Sequence, residues 1–160
     1  MHRAVFLDRD GLINVKAAPH DYVKHRSEFI LLPGVPGAVR ELNEAGFLVL
    51  VVTNQRGIAR GLVSSLEVED IHNYMREELA RHGAHVDGVY VCPHEDGCCR
   101  CRKPEIGLFL SAEQEYEIDR LHSWTVGDSP SDIEAGRRYG SRTIQTADLP
   151  AAVKTILEGT

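Results

Sequence analysis

Apolar residues fall into two patterns along the chain, and the patterns alternate. Ala4–Leu7 and Phe47–Thr53 are short, almost continuous apolar runs. Runs of that kind suit strands covered on both faces. Val86–Val91, Trp124–Val126 and Arg142–Gln145 read as three further strands. Between them the period changes to that of helices. Pro36–Ala45 has proline near its start and Gly46 just past its end, as helices favour. Ser64 and Glu67 have capping-box spacing. They open a helix that presents Val68, Ile71, Met75 and Leu79 on one face and stops near Gly83. Residues 107–118 are expected to be helical, with Leu108, Leu110, Tyr116 and Ile118 partly buried. Ser131–Tyr139, ending at Gly140, and Leu149–Leu157 complete the set. Strand and helix alternation of this kind predicts an α/β fold, a Rossmann-like parallel sheet with helices on both faces. Residues 1–160 are expected to form one domain, with no insertion between the motifs large enough to be a cap.

In such sheets ligands bind outside the carboxyl ends of the strands. The polar clusters stand there. Asp8 and Asp10 follow the first strand. Thr53 and Asn54 end the second, Cys92 and His94 follow the third, and Gly127, Asp128 and Asp132 follow the fourth. Asp8 and Asp10, two apart, project to one side of an extended strand, and Arg9 is expected to point away from them. Two carboxylates held together repel. They suit either a shared divalent cation or divided proton chemistry.

Composition narrows this. The chain has 160 residues, 42% hydrophobic and 26% charged, with net charge −6. An acidic chain argues against a nucleic-acid partner. No apolar run reaches the roughly 18 residues of a membrane span, and Ala4–Leu7 is too short for a signal peptide. A cytoplasmic, monomeric protein is expected. Basic residues do gather beside the motifs: Arg9, Arg56, Arg60, Arg100, Arg102 and Lys103. They point to an anionic small molecule such as a phosphate. Thr53-Asn54-Gln55-Arg56-Gly57 is a polar turn whose hydroxyl and backbone N–H groups can hold phosphoryl oxygens. Asp128 can complete an oxygen shell for Mg²⁺. Asp132 lies near a helix start, where an acid is favoured by the dipole, and is given a supporting role.

All four cysteines lie between Cys92 and Cys101. A tight cluster without a secretory signal suggests metal rather than disulfides. Cys92, His94 and Cys101, with either Cys98 or Cys99, offer a four-ligand structural zinc site.

Asp8-x-Asp10-Gly11, Thr53-Asn54, Lys103 and Gly127-Asp128 with Asp132, in that order, resemble the haloacid dehalogenase superfamily of phosphohydrolases. The resemblance spans nearly the whole chain. It implies Asp8 as nucleophile, Asp10 as general acid and base, and Thr53 and Lys103 as holders of the transferring group. It implies Mg²⁺ on Asp8, Asp128 and the backbone carbonyl of Asp10. Cys92-Pro93-His94 followed by Cys99-x-Cys101-Arg102-Lys103-Pro104 is similar to two zinc-containing branches, the heptose-bisphosphate and histidinol-phosphate phosphatases. The resemblance selects Cys99 over Cys98. Gly57-Ile58-Ala59-Arg60-Gly61 looks like the heptose branch. The implied substrate is D-glycero-D-manno-heptose 1,7-bisphosphate, losing its 7-phosphate, with Asn54, Gln55, Arg56, Arg60 and Arg102 contacting it. Specificity is expected from the loops at 14–26, 55–62 and 92–103. Lys16–Tyr22 is longer than the corresponding family loop, and Ser129 stands where lysine is common.

Overall fold

The computed structural model describes residues 1–160. Five parallel strands form one sheet in the order β3-β2-β1-β4-β5. They are β1 (Ala4–Leu7), β2 (Leu48–Asn54), β3 (Gly88–Cys92), β4 (Trp124–Gly127) and β5 (Arg142–Gln145). The helices are α1 (Val35–Glu44), α2 (Ser65–Ala80), α3 (Gly107–Glu113), α4 (Pro130–Tyr139) and α5 (Leu149–Glu158). Two single 3-10 turns lie at Arg26–Glu28 and Arg120–His122. No helix is long and apolar enough to cross a membrane.

The alternation of strand side chains sorts the helices between two layers. Val5 and Leu7 of β1, with Val49 and Val51 of β2, face a core built with α1, α2 and α5. Ala4 and Phe6, with Leu50 and Val52, face a smaller core built with α3 and α4. In that second core Phe6 packs on Phe109 and Tyr139, with ring centroids 4.7 and 5.2 Å apart. All four residues of β1 are fully buried, as a central strand covered on both faces requires.

Most element ends lie within a residue of the sequence reading; three of the differences have a visible cause. The helix expected over 107–118 stops at Glu113. Beyond it the chain is drawn back to the sheet: Ile118 bridges His2, and the Tyr116 hydroxyl donates to the Asp87 carbonyl at 3.1 Å. Leu110 is consequently exposed. The third strand begins at Gly88 rather than Val86, because Asp87 spends both its N–H and its carboxylate on the backbone of Val49. The fourth helix begins at Pro130, where Ser129 and Asp132 close a capping box.

The register sets the strand ends level. Leu7 pairs with both Val51 and Val126, and Asn54 pairs with Cys92. Asp8, Thr53, Cys92 and Gly127 therefore meet on one rim. The long connection from β1 to α1, residues 8–34, contributes residues 16–23 to the wall above it.

Candidate active site

A cleft of about 560 Å³ opens on this rim. Asp8, Asp10, Asn54, Arg56, Arg102, Lys103, Asp128 and Asp132 all line it.

Lys103 is the hub. It is 4% exposed, and its three ammonium protons are fully used. They go to Asp8 Oδ1 at 2.9 Å, Asp132 Oδ1 at 2.6 Å and the Val52 carbonyl at 2.7 Å. Burial works to lower the Lys103 pKa, but Asp8 and Asp132 outweigh it and hold the ammonium above its ordinary value. Asn54 places this lysine: its Oδ1 accepts from the Lys103 N–H at 3.0 Å, and its Nδ2 donates to the Lys103 carbonyl at 3.2 Å. The expected substrate contact thus has both amide atoms committed to the loop that carries Lys103.

Asp132 is fixed from the other side. Its Oδ2 accepts from the Ser129 N–H at 3.1 Å and the Ser129 hydroxyl at 2.9 Å. One carboxylate therefore caps α4 and anchors Lys103. Asp128 is different: its Oδ1 is buried with no hydrogen-bond partner. Its Oδ2 meets only Lys16, at 3.3 Å. Gly11, at φ +87°, allows this approach, since a Cβ there would collide with the Asp128 carboxylate. Carboxylate oxygens of Asp8, Asp128 and Asp132 all lie within 4.8 Å of one another. Burial, reinforced by Asp132 and Asp10 and opposed by Lys103, pushes the Asp8 carboxyl up to about 7.

Arg9 does not point away from the acids. It is fully buried, and its guanidinium curls back to grip Asp10 Oδ1 from Nη2 at 2.8 Å. The fork geometry of arginine matches a carboxylate, and the buried cation needs that partner. Asn14 Nδ2 donates to the same oxygen at 2.9 Å. Gln55, expected at the substrate, is turned inward: its Nε2 donates to Asp10 Oδ2 at 3.0 Å and to Thr53 Oγ1 at 2.8 Å. Burial works to raise the Asp10 carboxyl, but Arg9 and the bonds from Asn14 and Gln55 prevail and hold it below the usual carboxylate range. The sequence reading counted Arg9 as a cation beside the motifs but not as the partner of Asp10, and it missed Asn14 and His72 as parts of this site. His72 carried a signal: it is a polar residue four after Val68 and three before Met75, on the buried face of α2.

The outer wall is laced by arginine–acid contacts. Arg60 Nε donates to Glu95 at 2.9 Å, and Arg56 Nη1 to Asp96 at 3.2 Å. Arg102 Nε donates to Asp96 as well. The Tyr22 hydroxyl accepts from Arg56 at 3.3 Å and from Arg60 at 3.2 Å. These contacts tie together the three loops named as specificity elements. Arg60 and Thr53 do not line the cleft, whereas Arg102 does, and its Nη1 is buried without a partner.

Beside this wall, Cys92, His94, Cys99 and Cys101 bring their ligand atoms within 4.8 Å of one another. The Cys101 sulfur lies 3.0 Å from that of Cys92 and 3.2 Å from His94 Nδ1. Cys98 stands outside the cluster, exposed, with its thiol toward the Asp96 carbonyl at 3.6 Å. The Arg102 N–H points at the Cys99 sulfur, 3.4 Å away.

A parallel five-stranded sheet with an Asp-x-Asp pair at the end of its central strand, facing a buried lysine and a second acidic loop, defines a haloacid dehalogenase-like hydrolase. The HAD-hydrolase-like family model matches residues 100–148. The chain is 38% identical to the D-glycero-beta-D-manno-heptose-1,7-bisphosphate 7-phosphatase of Rhodopseudomonas palustris, over 96% of this chain and 89% of that one. It is 43% identical to the protein of the same name from Yersinia pestis, over 82% of this chain and 73% of that one. Its fold superposes on the crystal structure of the D,D-heptose 1,7-bisphosphate phosphatase from B. bronchiseptica, complexed with magnesium and phosphate. That match has TM-score 0.85, 32% identity and 99% coverage of both chains. The chain belongs to the D-glycero-beta-D-manno-heptose-1,7-bisphosphate 7-phosphatase family.

Proposed function

We propose that the protein is a Mg²⁺-dependent phosphatase that removes the 7-phosphate of D-glycero-D-manno-heptose 1,7-bisphosphate through an aspartyl-phosphate. The observation that carries this is Asp8, held by Lys103 at 2.9 Å at the floor of a cleft whose other acids are placed differently from it. The Asp8 carboxylate attacks phosphorus and the ester P–O bond breaks, while Asp10, ionised at rest, takes up a proton from solvent or the monoanionic ester and passes it to the leaving oxygen. Water then attacks the aspartyl-phosphate and gives a proton to Asp10, and Asp8 is released with inorganic phosphate. Lys103 offsets negative charge on the transferring group, and Thr53 acts behind it, accepting from the Gln55 amide that also holds Asp10. Arg102 and Arg56 line the cleft, where they meet the sugar phosphate. Asn54, Gln55 and Arg60 act behind them, holding the loops in place.

Asp8, Asp128 and the backbone carbonyl of Asp10 suit Mg²⁺, a hard cation that takes oxygen ligands. The partnerless Asp128 Oδ1 is the oxygen left for it, whereas both oxygens of Asp132 are taken. When bound, the cation supplies positive charge that keeps Asp8 ionised and offsets the charge of the phosphoryl oxygens. The relative of known structure carries magnesium and phosphate in its crystal, which supports the same reading here. Three thiols and one imidazole suit a structural Zn²⁺. It would brace the loop that carries Arg102 and Lys103. Four free cysteines, three of them gathered as ligands, accord with a reducing cytoplasm. Every residue named comes from one chain, so a monomer suffices.

The test is turnover of purified protein with Mg²⁺ on the heptose bisphosphate and on histidinol phosphate, with phosphorus NMR to identify the phosphate lost. The expected result is release of the 7-phosphate and a higher kcat/KM for the heptose. Preference for histidinol phosphate would overturn the substrate.

A further inference from the structure

Arg9 places a permanent cation where no water reaches it, which is costly unless every donor finds a partner. Its Nε and Nη2 donate to Asp10 Oδ1 at 3.1 and 2.8 Å. Its Nη1 lies 3.1 Å from Nε2 of His72, on α2. A guanidinium has no acceptor and does not lose its proton in proteins. His72 Nε2 is therefore the acceptor, and the imidazole is neutral with its proton on Nδ1. Burial, with Arg9 and Arg76 beside it, supports this by pushing the His72 pKa down to about 3.

The consequence falls on Asp10. Its Oδ1 receives three N–H donors: two from Arg9 and one from Asn14. Its Oδ2 receives one, from Gln55. A proton on Oδ1 would face donors on every side, whereas Oδ2 has room for it. A carboxyl can rotate about Cβ–Cγ and exchange its two oxygens. The Arg9 fork, backed by His72, stops that rotation.

We propose that Arg9 and His72 are a positioning pair that locks the Asp10 carboxyl, so that Oδ2 alone gives and takes the proton in the reaction. Neither residue lines the cleft. They act only through Asp10. Proton transfer is sensitive to the placement of the acid and contributes about 10²–10⁴-fold to such rates. A carboxyl free to turn forfeits part of that. The inference rests on the phosphatase reading above.

The test compares two leaving groups. The sugar alkoxide of the heptose bisphosphate needs a proton to leave, and the phenolate of p-nitrophenyl phosphate does not. His72→Leu removes the acceptor, His72→Gln restores one, and Arg9→Lys keeps the charge without the fork. With the heptose substrate, His72→Leu and Arg9→Lys are expected to lower kcat about tenfold or more, with KM within about twofold of wild type. His72→Gln is expected to recover most of the loss. In rapid-quench experiments the first burst of nitrophenol is expected at the wild-type rate in all three. Wild-type kcat in His72→Leu would overturn the proposal, as would a KM that rises in step with the loss of kcat. Equal slowing of both leaving groups would reduce the pair to scaffolding. If wild type turns over only the heptose, the kcat and KM of His72→Leu against His72→Gln decide. A wild-type protein that hydrolyses neither substrate would overturn the phosphatase reading itself, and this inference with it.

Discussion

At the scale of single residues the site is an exercise in using every donor. Lys103 spends three protons on three oxygens, and Asp132 serves a helix cap and a lysine at once. Lys103→Met would leave Asp8 and Asp132 buried without their cation. Breaking a buried pair from one side costs about 3–5 kcal/mol. The expected outcome is a clear fall in denaturant midpoint together with loss of phosphatase activity. Asp8→Asn is milder, because the amide keeps the shape while it removes the nucleophile and one carboxylate charge beside Lys103. It is expected to abolish phosphate release, read by a colorimetric assay, while its circular dichroism and zinc content stay as in wild type. The acids were legible because they follow apolar runs at strand ends, and Lys103 because it stands in a cation pair ahead of a helix. The pairing of Arg9 with His72 was not, since they meet only when α2 folds back over the loop after β1. Gln55 and Asn54 were legible as members of the polar turn but not in their direction. Which way an amide faces depends on Asp10 and Lys103, from distant parts of the chain.

At the scale of elements, the loop after β1 and the cysteine loop carry the tightest constraints. Gly11 sits at φ +87° against Asp128. Gly11→Ala must strain the backbone by roughly 1–2 kcal/mol and push the Asp128 carboxylate aside. Isothermal titration is expected to show Mg²⁺ binding weakened in that variant. The cysteine loop has little regular structure, and its contacts with Arg56, Arg60 and Arg102 are mostly exposed ion pairs, each worth little. Its order therefore depends on the four clustered ligands. Cys101→Ser is expected to lower the metal content from about one zinc per chain, measured by plasma spectrometry. It should raise KM for the heptose bisphosphate more than it lowers kcat, because Arg102 loses its anchor first. Strands and helices were read correctly wherever an apolar run or a cap marked them. The end of α3 was misread because residues 114–118 keep helix-compatible apolar spacing, while the pairing of Ile118 with His2 is invisible locally.

At the scale of the molecule, the sheet covered by helices on both faces followed from the alternation of period, and the single active rim followed from the parallel sheet. Stability also carries the mark of the buried site. His72 is held neutral with its pKa near 3 when folded, against about 6.5 when unfolded. Between those values the unfolded chain binds the extra proton. This contribution is thus complete above about pH 6.5 and is lost as pH falls toward 3, with a limiting slope of about 1.4 kcal/mol per pH unit. Urea titrations from pH 7 to 4 are expected to show a shallower acid loss in His72→Gln than in wild type.

The central strand carries one more consequence, for the order in which a ribosome delivers the chain. β1 is made first, yet its neighbours in the sheet begin at Leu48 and Trp124. During synthesis its four apolar residues can be covered on one side once β2 has emerged, but on the other only once β4 has followed. Asp8 and Asp10 are translated well before their neighbours Lys103 and Asp128. The ion pair of Asp8 with Lys103 is therefore absent, and one side of the innermost strand open, until the later segments arrive.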